Sequence, residues 1–591
     1  MAIIYLVSVV TLWTGILLIR KNEGKQNFFV WLFLSAILMM SVQAFFGGVL
    51  NKLGIELTLL TMSAGNLIVA AICFLQITRN GKQPYIITFA DAVSVFVIIG
   101  IILLFAFLRY RVKLDRINFV SVDATAHARW AMEVALEHRL PVNLYFTCLN
   151  TGMMMQVYQA LTGVSRFDLY RVFIWCEVFY TALAALLFWG LIRQRCGDGR
   201  WMRFLPLLLA PFYWAGYPVY STLFGFSYLG VAICLILVLL TLLDQYDHDR
   251  IHQILFITGM NLVLYGVFVC YTLFVPGVFF GVFATLAWRM KKNSDRKLIN
   301  KENIMMMLKV FLIPTILGLL YSFTNVEELR AGGGIQNEGG CYSDIYSNFI
   351  LLIPFIAIGI YFLVSRKEGG YLLPMVSVHL VMMTVMLAGL VTGKISVYYY
   401  SKLNSVLWLL SWTLTAEAIL GMMQHCKWAI LFPFFFYGIV FAGKYGDAWL
   451  KRANPLAGRV ETWNFCEIIM FNNTFFNSRA AIIPDEMMEL NRYVAEHHEP
   501  GETAGVFNET QSGWFRTLTG QKDTFAYTNY KDFLKEVDEK DFHYICTGYS
   551  GMYKAYEEYL NYQDVMIENS EGKLLRVTVK PSEMQSVKQS P

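Results

Sequence analysis

Asp123 and His127 stand four residues apart in Ser121-Val122-Asp123-Ala124-Thr125-Ala126-His127. On one helix such a pair shares a face, with roughly 5–6 Å between Cβ atoms. A carboxylate beside an imidazole can orient it, and either group can act as a general base. An Asp at a helix start can equally cap the free amides of the first turn. Spacing leaves both readings open. A second segment, 324–347, carries Glu327, Glu328, Arg330, Gly332-Gly333-Gly334, Gly339-Gly340 and Asp344. Its glycines let backbone approach a ligand closely, or make a loop that is merely flexible. No Gly-Lys-Ser/Thr follows, so it is not a phosphate loop of the Walker kind. A third segment, 392–402, places Lys394 and Lys402 on either side of Tyr398-Tyr399-Tyr400. Cations there could stabilise a leaving phosphate. Interfacial tyrosines and snorkelling lysines also anchor helices in membranes.

The elements that must position these residues are apolar. Of 591 residues, 56% are hydrophobic and only 15% charged. A soluble domain runs near 45–50% and about 25%. A soluble enzyme, a disordered chain and a nucleic-acid partner are excluded on that ground. The ten Cys form no CxxC and no Cys/His cluster, and most lie in apolar runs as small hydrophobes. The net charge of +5 is an average of unlike parts. Residues 1–443 hold 32 Lys+Arg and 21 Asp+Glu, whereas 444–591 hold 16 and 22. The fold class expected is therefore a polytopic α-helical membrane protein with a C-terminal soluble domain.

A span needs roughly 20 apolar residues. Candidate spans lie at 2–19, 28–47, 57–78, 86–108, 170–192, 203–216, 225–243, 252–270, 272–288, 305–323, 348–364, 371–391, 402–421 and 428–443. That is about 14, with 12–14 as the range. The segment 203–216 is short, carries Pro206 and Pro211, and is a candidate re-entrant piece. Lys and Arg set orientation. They concentrate in alternate loops, most densely from Arg289-Met290-Lys291-Lys292 to Lys301. Those loops are expected in the cytoplasm. The N-terminus, the long loop 109–169 and the tail then lie outside the plasma membrane. Within 109–169 an amphipathic helix to Arg139, a break at Pro141 and a Met-rich stretch from Leu149 to Leu161 are expected. In the tail, Glu486–His498 and Tyr530–Val537 read as helices, and 503–507 and 543–546 as strands. Strands 563–568 and 573–579 meet at Glu571-Gly572 as a hairpin. The tail is thus a small α/β domain.

Taken in order, these segments resemble the GT-C superfamily of membrane glycosyltransferases, over roughly residues 87–443. The matching residues are Asp123-x-x-x-His127 with Pro141 and Tyr145, Gly216-Tyr217-Pro218, and Phe224-Gly225-Phe226-Ser227-Tyr228-Leu229-Gly230. They continue with Tyr271-Thr272-Leu273-Phe274-Val275-Pro276, Gly340-Cys341-Tyr342-Ser343-Asp344 and Lys394 through Lys402. The resemblance divides the chain into extra N-terminal helices (1–86), a catalytic core (87–443) and the extracytoplasmic domain (444–591). It implies sugar transfer from a polyprenyl-phosphate-linked donor to a glycan, lipid or protein acceptor of the cell envelope. Asp123 matches the acceptor base of that family. His127 would orient it or touch the donor phosphate, and Arg330, Lys394, Tyr399 and Lys402 would hold that phosphate. A second loop acid, where such enzymes have one, would be Asp115 or Glu133, which leaves dependence on a divalent metal ion open. Two other classes compete: a transporter or flippase of lipid-linked glycans, and a non-catalytic scaffold. A transporter places ionisable groups at mid-bilayer, and the spans hold only Asp91, Glu177, His379 and Glu417.

Overall fold

A computed structural model describes residues 1–19, 26–80, 85–109, 116–119, 121–141, 145–197, 199, 201–293, 300–324, 349, 351–437, 483–498, 500–506, 509–526, 533–547 and 550–584. The apolar runs form helices because a backbone in an apolar surround must satisfy its own hydrogen bonds. In chain order these are α1 (Ala2–Leu18), α2 (Phe28–Lys52), α3 (Leu59–Asn80), α4 (Phe89–Arg109), α5 (Asp123–Glu137) and α6 (Tyr145–Thr162). Then come α7 (Tyr170–Arg195), α8 (Leu205–Ala215), α9 (Tyr217–Leu223), α10 (Ser227–Asp247), α11 (Gln253–Cys270), α12 (Val275–Asn293) and α13 (Lys301–Thr324). The bundle ends with α14 (Ile353–Ser365), α15 (Leu373–Val391), α16 (Val397–Lys402) and α17 (Asn404–His425).

Ten helical segments among the described residues are long and apolar enough to cross a membrane. Three shorter apolar helices, Ala2–Leu18, Ile353–Ser365 and Lys427–Tyr437, accompany them. The chain is therefore a polytopic helical membrane protein. α10 is buried along its whole apolar length and α17 along most of it, as expected of helices hydrophobic all round. The segment expected at 203–216 is α8, followed without a loop by α9. Gly216 and Pro218 break the helix there, and the Tyr213 carbonyl loses its partner four residues on. Trp408 Nε1 donates to that carbonyl at 2.9 Å and replaces the lost bond.

Two clusters of paired, buried charges lie near one end of the bundle. Arg193 Nε donates to Asp91 Oδ1 at 2.6 Å, and Asn27 and Thr88 donate to Asp91 Oδ2. Arg195, 6% exposed, binds three carboxylates: Glu417 at 2.8 Å, Glu368 at 2.8 Å and Asp244 at 3.1 Å. The Tyr371 hydroxyl donates to Glu417 as well. His379 donates to the Leu403 carbonyl.

Residues 483–584 hold the five-stranded sheet β4-β3-β5-β7-β6. Its strands are β3 (Thr503–Val506), β4 (Lys522–Ala526), β5 (Tyr544–Cys546), β6 (Asp564–Asn569) and β7 (Gly572–Arg576). A minor pair, β1 (Gln26–Asn27) with β2 (Tyr85–Ile86), sits in the bundle. β3 runs parallel to β4 and β5, and β7 antiparallel to β5 and β6. Helices α18 (Asp485–His497), α19 (Glu509–Thr519), α20 (Phe533–Glu539) and α21 (Ser550–Leu560) connect them. The hairpin at Glu571-Gly572 forms as its alternating pattern predicts. α19, β4 and α21 carry no such signal: Gly513 weakens the helical pattern of Glu509–Thr519, yet α19 forms because its apolar face, Trp514, Phe515 and Leu518, is fully buried.

Candidate functional site

α5 begins at Asp123, after Val122, and no side chain caps it. The Asp123 amide donates to Ser121 Oγ at 3.1 Å. The carboxylate is thereby left for another partner. Tyr398, from α16, donates its hydroxyl to Asp123 Oδ2 at 3.3 Å. That hydroxyl also accepts from Lys402 Nζ at 2.6 Å, and Lys402 donates again to the Tyr228 hydroxyl at 2.7 Å. An acid from α5 and a base from the α16–α17 junction are thus joined through one phenol that lies 275 residues beyond the acid in sequence.

Lys402 is buried, and aromatic rings supply its solvation. Its Nζ lies 3.8 Å from the Tyr398 ring centre, 4.8 Å from Phe226, 5.3 Å from Tyr228, 5.4 Å from Tyr399 and 5.5 Å from Tyr271. Ring faces attract a cation most when water is excluded. A small cleft opens beside it, lined by Tyr217, Tyr220, Phe226, Leu229, Tyr398, Ser401 and Ser405.

His127 does not hydrogen-bond Asp123. Its Nδ1 meets the Gly225 carbonyl at 2.7 Å. A carbonyl only accepts, so Nδ1 carries the proton and Nε2 is left as an acceptor. The ring packs edge-on against Tyr228 and tilted against Trp130. Burial pushes its pKa down to about 4, so it is neutral near pH 7. Gly225 has φ of +66°, and a Cβ there would lie 2.5 Å from Ala124 Cβ. Only glycine lets this turn lie against α5 and offer its carbonyl to His127.

The expected site residues are distributed unevenly. Asp123, His127, Tyr399 and Lys402 come together. Tyr399 is half-buried, with its amide donating to Ser396 Oγ and its ring against Tyr398. Lys394 is exposed on the turn before α16 and makes no side-chain hydrogen bond or ion pair among the described residues. It does not join the others. Arg330, the glycine-rich segment and Asp115 lie outside the described residues. Glu133 stands ten residues beyond Asp123, about 15 Å along the helix. Among the described residues no three His, Cys, Asp or Glu gather to hold a metal ion. Tyr398, Tyr228 and Gly225 stand in the motifs quoted from the sequence, but motif reasoning gave them no role of their own. One signal was present for Tyr398: it precedes Lys402 by four residues, the spacing at which helical neighbours meet.

No protein-family model matches the chain, and no curated protein is similar to it in sequence.

Proposed function

We propose that the chain is a membrane glycosyltransferase, taking a sugar from a polyprenyl-phosphate-linked donor and passing it to a glycan, lipid or protein acceptor of the cell envelope. The single observation that supports this reading most is the Asp123–Tyr398–Lys402 assembly at one end of an apolar bundle. In this reading Asp123 takes the proton of the acceptor hydroxyl as its oxygen attacks the anomeric carbon. The sugar–phosphate bond breaks, and the phosphate leaves with the electron pair. The positive charge of Lys402 faces the developing negative charge, and Tyr398 holds the carboxylate in place. Arg330 and Lys394 are the further cations that the resemblance assigns to the phosphate. The shorter apolar helices and the α8–α9 pair bring the crossings to about fourteen. The Asp123 end and residues 444–591 then face outward from the plasma membrane.

The test is Asp123→Asn in purified, nanodisc-embedded protein, offered a panel of polyprenyl-linked sugars. A general base contributes about 10²–10⁴-fold, so donor consumption should fall by at least about a hundredfold. Undiminished turnover removes Asp123 as the base. Passage of a lipid-linked glycan across the bilayer, with no donor consumed by the wild type, would replace transfer by transport.

A further inference from the structure

The helix that carries Asp123 is covered on two sides. The bundle covers the His127 side. On the Thr125 side lies α19: the Thr517 hydroxyl donates to the Thr125 carbonyl at 3.1 Å, and a Cβ on Gly513 would lie 2.6 Å from Thr125 Oγ1. Between them runs a partly exposed stripe at helical spacing: Asp123, Ala126, Trp130, Arg129 and Glu133. The Trp130 ring packs tilted against His127, and its Nε1 makes no hydrogen bond among the described residues.

At the far edge of this stripe guanidinium groups converge. Arg129 reaches Glu133 only at 3.8 Å. Arg516 neighbours Thr517 on the docked α19, and its side chain makes no ion pair or hydrogen bond among the described residues. Arg166 Nε donates to the Thr517 carbonyl at 3.4 Å and closes the third side. The acids nearby are Glu133 and Glu137, and Glu137 is engaged by Arg139 at 2.6 Å. Four arginines thus outnumber two glutamates. Burial, and next the facing Arg516, lower the pKa of Arg129 from its ordinary value. Like charges held together away from water are unfavourable until an anion joins them.

We propose that this stripe is the acceptor track, and that the acceptor is an anionic saccharide. Its phosphate or carboxylate is held by Arg129, Arg166 and Arg516, a sugar ring lies on Trp130, and a hydroxyl reaches Asp123. The inference rests on the glycosyl-transfer reading. Asp123 and Arg129 are six residues apart, about 9 Å along the axis, so the acceptor is an extended molecule and not a single sugar. Guanidinium forks suit oxyanions, and an indole offers a flat apolar face with one polar edge.

The test is donor-free binding to the full chain in nanodiscs. Three probes are used: a phosphate-bearing oligosaccharide, its dephosphorylated twin and polyprenyl monophosphate. The phosphorylated probe should bind on the order of tenfold more tightly than its twin, with Kd rising with salt. The double variant Arg129→Gln/Arg516→Gln should remove that advantage, and Trp130→Ala should weaken both oligosaccharides. Lys580→Gln, whose residue pairs with Asp541 elsewhere in the C-terminal sheet region, should change nothing. Equal binding of the twins, or an unchanged double variant that keeps its melting temperature, overturns the proposal. So does a loss confined to polyprenyl monophosphate, which would assign the arginines to the donor. Asp123→Asn should retain anion binding. If the binding pattern holds while no donor is ever consumed, the anion site stands and the transfer reading falls.

Discussion

Asp123 opens α5, yet its carboxylate does not close the helix end. Its hydrogen bond goes to Tyr398, and through it to a buried ammonium. Hydrogen bonds to charged groups are worth about 1.5–3 kcal/mol. Tyr398→Phe should therefore lower turnover about 10–100-fold while sparing the fold, measured as kcat with the melting temperature as control. Lys402→Met fills the same aromatic cage without charge and should lose at least as much turnover. A Lys402→Met enzyme of wild-type kcat would remove Lys402 from the chemistry. His127 makes a different prediction. Its folded pKa of about 4 lies below the ordinary imidazole value of 6.5. The unfolded chain therefore takes up a proton between these pH values and the folded chain does not. Stability from this residue is complete above about pH 6.5 and is lost as pH falls toward 4. Melting temperatures from pH 7 to 4.5 should drop less steeply in His127→Gln than in the wild type. Identical slopes would place the imidazole in contact with water.

At the scale of elements, α5 has no core of its own. Alanines at 124, 128, 131 and 135 give it small, buried contact points, and neighbours from three parts of the chain fix its position. The Phe224–Ser227 turn holds His127, α16 holds Asp123, and α19 holds Thr125. The Phe119 ring stacks on Trp514 with centres 5.8 Å apart. Arg116 pairs with Asp485 at 2.7 Å, and the Ile483 amide donates to the Ile117 carbonyl. The C-terminal sheet region is thus packed onto the site helix. Gly225 is one tight joint of this helix. Gly225→Val would strain a positive φ, at about 1–3 kcal/mol, and drive a side chain into Ala124. The expected result is a lower melting temperature and a larger proportional loss of kcat, since the displaced carbonyl releases His127. A variant that turns over normally would show that this joint does not set the site.

Clusters of linked charges lie near opposite ends of the apolar bundle. One end holds Asp123, Tyr398 and Lys402. The other holds Arg195 with Glu417, Glu368 and Asp244, and Arg193 with Asp91. Removing one member of a buried ion cluster leaves its partners uncompensated and costs about 3–5 kcal/mol. Arg195→Met should therefore reduce thermal stability sharply. The Asp123 site, at the far end, should keep its substrate KM in whatever fraction stays folded. A KM that rises with the loss of stability would couple the two ends.

Much of this architecture was legible in the residues themselves. Runs of apolar residues near span length mark the helices, because a bilayer accepts backbone only in that form. The five-stranded sheet lies in the acidic part of the chain beyond residue 443, and Pro141 lies between α5 and α6. Asp123, His127 and Lys402 were visible as residue types in suggestive places. Their connection was not. Periodicity reports which face of a helix is apolar, not which distant helix lies against it. Only the packed structure decided that Tyr398 joins Asp123 to Lys402, that His127 answers to Gly225, and that Lys394 stands apart. It also decided that α19, blurred in sequence by Gly513, lies on α5, because the space beside Thr125 admits no larger side chain. Local pattern set the elements; close packing between elements remote in sequence set the site.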